Sequence, residues 1–226
     1  MKFGVVGFGA AVLFAAGVAN AQVVNGSFEL PLVPQGGFTE FVGSAAIPGW
    51  TVVGPAGTAV AIVSTTFAQN GVTFQAQSGG QWLDLTGSGS NSSEGVSQAI
   101  TTVAGHQYEL TFFVGNTTGG EIFGRSSTVN VAVNGVQSFS ALNATASQTS
   151  LNWQQFSYSF VAIGGSTTLA LSNGDGPGDN SNGLDGISLF DRGPMVSAVP
   201  EPETYALMLG GFAALGLATR RRKAVS

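Results

Sequence analysis

The chain has 226 residues, with 7 Lys and Arg against 12 Asp and Glu, a formal net charge of −5, and only 8% charged residues. It contains no cysteine and one histidine, which excludes disulfide bonds, thiol nucleophiles and zinc sites built from several Cys or His ligands. The scarcity of basic residues excludes a positively charged surface of the kind that binds nucleic acid.

The N-terminal 21 residues have the three parts of a secretory signal peptide. Lys2 supplies a basic residue, residues 3–18 are apolar or small, and Ala19-Asn20-Ala21 fits the small-residue cleavage pattern. We therefore expect export of the protein and cleavage after Ala21. An uncleaved membrane helix is the alternative, which the position of the cleavage pattern disfavours.

The segment between the two ends, residues 22–198, is more acidic than the whole chain. It contains ten acidic residues and only two basic ones, Arg125 and Arg192, so its formal charge is about −8. Such a segment repels polyanions, and an anionic polysaccharide would need bridging cations to bind it. Its length suits one domain with its own hydrophobic core.

Alternation of apolar and polar residues predicts β-strands throughout residues 22–192, and no helical period persists there. The clearest strand runs from Tyr108 to Val114, where every second residue is a large apolar one. In chain order, the predicted strands are 50–53, 60–64, 81–85, 96–100, 108–114, 129–133, 156–162, 167–172 and 184–190.

Turn signals separate these strands, and Asn134-Gly135 is typical of a tight β-hairpin. A plain two-residue turn there would place Phe139 opposite Asn130 rather than opposite a valine, so we expect a bulge or a longer loop at this hairpin. Many short strands joined by turns predict an all-β fold, an antiparallel two-sheet β-sandwich of the jelly-roll type.

Three short motifs lie near the beginning and the end of this domain: Asn25-Gly26-Ser27-Phe28-Glu29, Gly49-Trp50 and Asp185-Gly186-Ile187-Ser188-Leu189. Together they resemble the galactose-binding-like jelly-roll families, which include carbohydrate-binding modules appended to xylanases. The resemblance implies a structural calcium ion between the first and last strands. By position, Glu29 and Asp185 would be its side-chain ligands.

The residue chemistry agrees with a calcium ion at this pair, because calcium binds several oxygen ligands, including carboxylates and backbone carbonyls. A metal shared by both ends of a disulfide-free domain would clamp the terminal strands together. The alternative is that Glu29 is a surface carboxylate and Asp185 a turn former.

A second polar cluster comprises Asn173, Asp175, Asp179, Asn180 and Asn182. We interpret these as solvated turn residues, and another calcium site is the alternative.

Aromatic residues beside carboxylates are the candidates for binding sugars, because aromatic rings stack on the apolar faces of pyranoses. Trp82 and Asp84 are two residues apart in a predicted strand and therefore share one face. Trp50, in the Gly-Trp motif, is a further candidate. The alternative for each tryptophan is a place in the sandwich core.

The C-terminal end combines Pro200-Glu201-Pro202, an apolar stretch predicted to form a membrane helix over about 205–219, and the basic residues Arg220, Arg221 and Arg222. This tail resembles the PEP-CTERM sorting signal of Gram-negative bacteria. The resemblance implies transient anchoring in the inner membrane, processing by an exosortase-type transpeptidase, and delivery to the cell surface or extracellular matrix. It also implies a link to exopolysaccharide production. The alternative is an ordinary C-terminal membrane anchor.

The domain organisation that follows is a signal peptide (1–21), a galactose-binding-like β-sandwich (22–192), a linker (193–198) and a sorting tail (199–226). We expect a non-catalytic module that binds carbohydrate, with exopolysaccharide as the partner. One alternative is a structural matrix protein without a specific ligand. The other is a glycoside-active enzyme, for which Asp84, Glu94 and Glu109 are the available carboxylates.

Overall fold

The computed structural model of the chain describes residues 22–43, 47–87, 93–176, 178, 181–195, 207, 209 and 212. The predicted signal peptide, the Pro200-Glu201-Pro202 motif and the Arg cluster lie outside the described residues, as does most of the predicted membrane helix. Over the ranges described, no helix has the length and hydrophobicity of a membrane span. Residues 1–194 and 195–226 form separate compact units, and the fold below is that of the first.

Thirteen β-strands make up the described part of the first unit. Their bounds are β1 (Phe38–Val42), β2 (Thr51–Val53), β3 (Ala59–Ser64), β4 (Ala68–Gln69), β5 (Val72–Thr73), β6 (Gln81–Asp84), β7 (Gly95–Thr101), β8 (His106–Asn116), β9 (Ser127–Val133), β10 (Val136–Asn143), β11 (Asn152–Val161), β12 (Ser166–Asn173) and β13 (Gly183–Pro194).

The strands form two main antiparallel sheets and one short hairpin. The six-stranded sheet has the order β1-β3-β6-β13-β8-β11, the five-stranded sheet has the order β10-β9-β12-β7-β2, and β4 pairs with β5. The two large sheets pack face to face, which confirms the predicted all-β antiparallel sandwich of jelly-roll type. Neighbours in each sheet are often distant in sequence, as with β13 between β6 and β8.

The core lies between the inner faces of the two sheets, and strand alternation fills it. Leu110 and Phe112 project inward from β8, while Leu169 and Leu171 project inward from β12, and all four are fully buried. Burial of each such side chain contributes about 1.5–3 kcal/mol. The sequence pattern therefore identified the inward faces of these central strands correctly.

The β9–β10 hairpin has a bulge, which is one of the two alternatives predicted for it. Asn134 and Gly135 form its turn with positive φ angles of 51° and 80°. The register shifts between Gln137 and Phe139, so that Phe139 lies opposite Val131. The extra residue keeps an aromatic side chain against a valine, which explains why the turn alone does not set the register.

One half of the six-stranded sheet is buried on both faces, which alternation did not predict. In β3, Val60 and Ile62 face the main core, whereas Ala61 and Val63 belong to a second apolar cluster on the outer face. That outer cluster consists of Ala61, Val63, Val72, Phe74, Trp82, Phe123 and Leu151, with Phe67, Ala76 and Trp153 packed against it. The β4–β5 hairpin and its flanking residues cover this half of the sheet.

The bounds of β13 also differ from the predicted 184–190. The strand runs on to Pro194, because its backbone continues to pair with β8 through a second register shift between Asp191 and Gly193. Polar and glycine residues occupy this extension, so it carries no alternating apolar signal. Backbone pairing, rather than side-chain burial, therefore defines the end of the domain.

Candidate functional site

Asp185 is completely buried and is held by three backbone N–H groups. Its Oδ2 atom accepts hydrogen bonds from the N–H groups of Gln77 (3.0 Å) and Ser78 (3.1 Å), and Oδ1 accepts one from Gly186 (2.6 Å). Gly186 has a positive φ of 60°, at a register shift between Asp185 and Ser188. The bulge thus turns the carboxylate of β13 toward the segment of residues 77–81, named here the carboxylate loop.

Glu29 binds the same carboxylate loop from the N-terminal side. Its Oε1 atom accepts hydrogen bonds from the N–H groups of Gly80 (2.9 Å) and Gln81 (3.2 Å). A Cβ atom added at Gly79 would overlap this carboxylate, so the loop needs glycine there for Glu29 to approach. The structure therefore brings Glu29 and Asp185 to one loop from opposite ends of the domain.

The electrostatics of this pair favour a cation. Burial raises the pKa of Asp185 to about 7, with a further rise from the Glu29 charge, against the lowering effect of the Ser78, Gly186 and Gln77 N–H groups. Two carboxylates have about eight acceptor positions, and five N–H groups occupy five of them. The residues present therefore fit a hard cation that binds oxygen.

Among the described residues, no three Asp, Glu, His or Cys side chains form a metal-binding group. A calcium ion at Glu29 and Asp185 would therefore complete its shell with backbone or amide oxygens and water.

Trp50 is buried and helps to hold the N-terminal segment against the sandwich. Its side chain is 3% exposed, its indole N–H donates to the carbonyl of Asn25 (3.0 Å), and its ring packs on Phe28 with centroids 5.6 Å apart. Asn25 in turn donates from Nδ2 to the carbonyls of Leu30 (2.7 Å) and Pro48 (3.2 Å). In this position Trp50 presents no open ring face on which a sugar could stack.

Trp82 lies on the outer face of β6, in the second apolar cluster. It is 1% exposed, and its indole N–H donates to the carbonyl of Phe74 (3.0 Å). Its ring stacks on Phe74 at 6.3 Å and meets Trp153 edge-on at 5.9 Å. Trp82 is thus a packed residue, but its position brings it to the wall of a cavity.

The cavity opens on the outer face of the six-stranded sheet and has a volume of about 220 Å³. Five aromatic residues line it, together with the polar residues Gln69, Asp84 and Ser181 and the small residues Ala61, Val63 and Gly87; the aromatic ones are Phe38, Phe67, Phe74, Trp82 and Phe123. The predicted pair Trp82 and Asp84 therefore does share this site. We call it the aromatic cavity.

Hydrogen bonds and ring contacts fix the geometry of the aromatic cavity. Asp84 Oδ1 accepts hydrogen bonds from the N–H (2.9 Å) and the hydroxyl (2.7 Å) of Thr86, which orients the carboxylate. Phe67 contacts Phe38 at 5.6 Å and Phe74 at 5.4 Å. Phe38 is 43% exposed, so it forms the outer, accessible wall of the cavity.

Sequence reasoning missed the phenylalanines of this cavity. Phe67 and Phe74 flank the Asn70-Gly71 turn, and the N–H of Phe74 donates to the carbonyl of Phe67 (3.0 Å). This symmetric placement about a hairpin signal could have indicated a cross-strand aromatic pair. Phe38 and Phe123 come from distant segments, and only the tertiary structure brings them to the same place.

The single histidine lies at the beginning of β8, away from these residues. His106 Nδ1 is 2.9 Å from Asp191 Oδ2, and the Tyr108 hydroxyl donates to the same oxygen at 3.0 Å. Burial alone would raise the pKa of Asp191, but the N–H of Gly193, His106 and Tyr108 together lower it. This network joins β8 to β13 and has a structural role in the described fold.

Comparison with protein families gives two adjoining matches. Residues 21–199 match the family described as "Protein of unknown function (DUF642)". Residues 198–223 match the PEP-CTERM protein-sorting motif, which indicates an exported, surface-targeted protein. No curated protein matches the chain.

Several solved structures resemble the sandwich at low sequence identity. TmCBM61, solved with β-1,4-galactotriose, is 18% identical with a TM-score of 0.46, covering 77% of this chain and 100% of that one. The CBM22-1 xylan-binding domain of Paenibacillus barcinonensis Xyn10C is 18% identical with a TM-score of 0.43, covering 70% and 97%. The α-L-arabinofuranosidase MgGH51 is 14% identical with a TM-score of 0.46, covering 79% and 27%.

The match over residues 21–199 spans the whole sandwich, including both carboxylates at the carboxylate loop and every residue of the aromatic cavity. This chain therefore belongs to the DUF642 family and carries a PEP-CTERM sorting motif at its C-terminus.

Proposed function

We propose that this protein is an exported, non-catalytic carbohydrate-binding module, and that its ligand is the exopolysaccharide of its own cell. The observation that carries the proposal is the aromatic cavity, in which aromatic rings adjoin Asp84 and Gln69. Sugar rings have apolar C–H faces that pack on aromatic side chains, and hydroxyl groups that donate to carboxylate and amide oxygens. The lining of the cavity offers both kinds of contact.

The size of the aromatic cavity sets the size of the ligand. Its volume of about 220 Å³ is below the roughly 300–1,000 Å³ of sites that enclose drug-sized ligands. One sugar ring at a chain end or a side branch is therefore the ligand that we propose, with the rest of the polymer outside. Phe38, at the accessible edge, would stack on that ring or its neighbour.

The charge of the domain selects among polysaccharides. A formal charge of about −8 over residues 22–198 opposes a polyanionic ligand at low ionic strength. We therefore propose a neutral glycan, or a neutral branch of an acidic one. An acidic polymer would bind only with divalent cations between the two surfaces.

A point substitution at the cavity rim tests glycan binding. In affinity electrophoresis with the exopolysaccharide of the source cell, the purified chain should be retarded. Phe38→Ala should weaken that retardation, with an apparent Kd raised at least tenfold. Phe190→Ala is the matched control, because Phe190 has the same exposure of 43% but lies outside the cavity. Unchanged binding by Phe38→Ala would place the glycan elsewhere.

The same experiment separates the two other functions. A structural matrix protein without a specific ligand would show no retardation in the electrophoresis and no binding to any glycan on an array. A glycoside-active enzyme would release reducing sugar from the polymer, and the loss of that activity in Asp84→Asn would support the enzyme. We expect retardation without release of reducing sugar.

Sorting is proposed to follow the PEP-CTERM motif. An exosortase-type transpeptidase would process the tail near Pro200-Glu201-Pro202, while the apolar helix and Arg220, Arg221 and Arg222 hold the chain transiently in the inner membrane of a Gram-negative cell. The processed domain, attached or released, would reach the cell surface or extracellular matrix. Intact-mass measurement of the extracellular form should show loss of residues 1–21 and of the basic cluster; retention of that cluster contradicts processing.

We also propose a structural calcium ion at Glu29 and Asp185. The ion would neutralise two adjacent carboxylates and join the N-terminal segment, the carboxylate loop and β13. The support is the convergence of both carboxylates on residues 77–81 and the raised pKa of Asp185. Calcium bound there would act on stability and leave the aromatic cavity free for the glycan.

A further inference from the structure

A second, separate polar corner lies where β7 begins, β12 ends and β13 begins. Glu94 precedes β7 by one residue, Asn173 ends β12, and Asn182 directly precedes β13. All three side chains are buried, with exposures of 0%, 2% and 0%. We call these residues, together with Asp175, the Glu94 corner.

Glu94 is the unusual member of this corner. Over the residues that the structure describes, neither Oε1 nor Oε2 of Glu94 has a hydrogen-bond partner, although both atoms are buried. An ionised carboxylate removed from water without a partner costs several kcal/mol. The buried carboxyl group of Glu94 therefore needs a partner, and a carboxylate accepts only a proton, a hydrogen-bond donor or a cation.

The side chain of Glu94 points into the sandwich, on the same face as that of Asn173. Glu94 lies two residues before Val96, and Asn173 two residues after Leu171, and both apolar residues belong to the core. Side chains two residues apart share a face of a strand. The N–H of Asn173 donates to the carbonyl of Glu94 at 2.8 Å, so the two residues are direct neighbours across the β7–β12 pair.

Asn182 brings a second unpartnered oxygen to the same corner. Its Nδ2 atom donates to the Thr128 carbonyl (2.6 Å), to Asn173 Oδ1 (2.9 Å) and to Asp175 Oδ2 (3.1 Å). Three acceptors around this nitrogen fix the orientation of the amide, because a flip would set Oδ1 against three oxygens. Oδ1 of Asn182 is consequently buried without a partner among the described residues.

The atoms in need of a partner at this corner are thus all acceptors: two carboxylate oxygens and one amide oxygen. Asp175 adds a further carboxylate beside Asn182, since its Oδ2 atom accepts a hydrogen bond from Asn182 Nδ2 at 3.1 Å. A set of carboxylate and amide oxygens without nitrogen or sulfur suits calcium, which takes six to eight such ligands.

We infer that the Glu94 corner binds a calcium ion, with Glu94 as its bidentate carboxylate ligand and Asn182 Oδ1 as its amide ligand. This site differs from the one proposed at Glu29 and Asp185. Asn182 and Leu184 face the interior of the sandwich, whereas Asp185 faces the opposite side of β13 and binds the carboxylate loop. The corner site would join both sheets. Asn182 directly precedes β13 of the six-stranded sheet, and it hydrogen-bonds to β9 and β12 of the five-stranded sheet.

Calcium stoichiometry of the purified full chain tests this inference. After equilibrium dialysis against calcium, metal analysis of Glu94→Gln should give one calcium fewer per chain than the wild type. The double variant Glu29→Gln/Asp185→Asn should keep one calcium, which the addition of Glu94→Gln removes. Glu121→Gln, at an exposed carboxylate paired with Arg125, is the control and should match the wild type.

These counts separate the two calcium proposals. If the double variant binds no calcium, or if Glu94→Gln keeps the wild-type count, the corner site is overturned. If the wild type binds one calcium and only Glu94→Gln loses it, the corner site stands and the site at Glu29 and Asp185 fails. Neither count depends on glycan binding.

Thermal unfolding supplies a second readout. The difference in melting temperature between Glu94→Gln and the wild type should change sign between EDTA and calcium. In EDTA, Glu94→Gln should melt at or above the wild-type temperature, because it replaces a buried carboxyl group that has no hydrogen-bond partner among the described residues. In calcium at a hundred times its Kd it should lack the part of the wild-type rise that the corner contributes, several degrees for a domain of this size. An equal calcium response in both proteins overturns the inference.

Discussion

Asp185 and Glu94 are both carboxylates with no exposed surface, yet their surroundings differ completely. Asp185 accepts hydrogen bonds from three backbone N–H groups, whereas Glu94 has no hydrogen-bond donor among the described residues. The N–H groups hold the Asp185 side chain in place whether or not a metal is bound. At Glu94 the described residues supply no donor to the carboxylate, so its position depends on what else binds.

The difference teaches that a buried carboxylate is not by itself a metal site. Asp185 has one like-charged neighbour, Glu29, and its pKa is raised to about 7, so a proton competes with any metal near neutral pH. It would be the weaker and more pH-dependent of the two calcium ligands. The Glu94 corner, with several oxygen ligands and no N–H donors to its carboxylate, would depend on the metal more strongly.

The pH dependence of stability in EDTA should show the largest effect. The pKa of Asp185 rises from 3.8 to about 7 on folding. Between these values the unfolded chain has lost the proton that the folded chain retains, so the free energy of unfolding falls as pH increases. It levels off above the folded pKa, after a total loss of roughly 4 kcal/mol for three pKa units.

Asp185→Asn should remove this slope, which urea unfolding at pH 4 to 8 would measure. Asp175, whose pKa is also raised by burial, contributes a slope of the same sign in both proteins. The difference between wild type and variant therefore isolates Asp185. Parallel curves for the two proteins would show that Asp185 ionises normally and would leave the contrast with Glu94 without an electrostatic basis.

Addition of calcium should give the next largest effect. A ligand that binds only the folded state stabilises it by about 2.7 kcal/mol at a hundred times its Kd, which for a domain of this size is a rise in Tm of several degrees. The rise should be larger at pH 8 than at pH 5, because protons compete for Asp185 at the lower pH. Calorimetry with and without EDTA measures it.

Asp185→Ala should abolish the share of the calcium rise that the carboxylate loop contributes, and Glu29→Gln should reduce it. Equal melting temperatures in calcium and in EDTA for the wild type would contradict both calcium sites. Glu29 and Asp185 would then be hydrogen-bond acceptors for the carboxylate loop and nothing more.

The central strands of the fold could be predicted from the sequence, because each buries one face and exposes the other. Tyr108 to Val114 and the bulge before Phe139 are examples, and both agree with the structure. The strands β1, β4 and β5 were missed. β4 and β5 have only two residues each, too few for a period to appear, and β1 carries mainly exposed residues.

The candidate sites divide in the same way. The resemblance of two terminal motifs to a known family paired Glu29 with Asp185, and the structure brings both carboxylates to the carboxylate loop. The sequence placed Asn173 and Asn182 in a cluster of solvated turn residues, with a calcium site as the alternative and without Glu94, whereas the structure buries all three. Burial of a polar residue at a strand end depends on how the two sheets meet, and composition carries no signal of it.

The smallest expected change in stability comes from a comparison of two glycine substitutions. This comparison tests the carboxylate loop most directly. Gly79 and Gly36 have nearly equal positive φ angles of 69° and 70°. Alanine at either position bears the same backbone strain, roughly 1–2 kcal/mol. A Cβ at Gly79 would overlap Glu29, whereas one at Gly36 would meet no atom within 4 Å.

Gly79→Ala should therefore cost about 1 kcal/mol more than Gly36→Ala in EDTA, because Glu29 must release its hydrogen bonds to Gly80 and Gln81. It should also reduce the calcium response of the carboxylate loop, while Gly36→Ala leaves that response intact. Urea unfolding with and without calcium gives both values. If the two variants lose equal stability and keep equal calcium responses, the approach of Glu29 to the loop contributes nothing, and only Asp185 remains to be compared with Glu94.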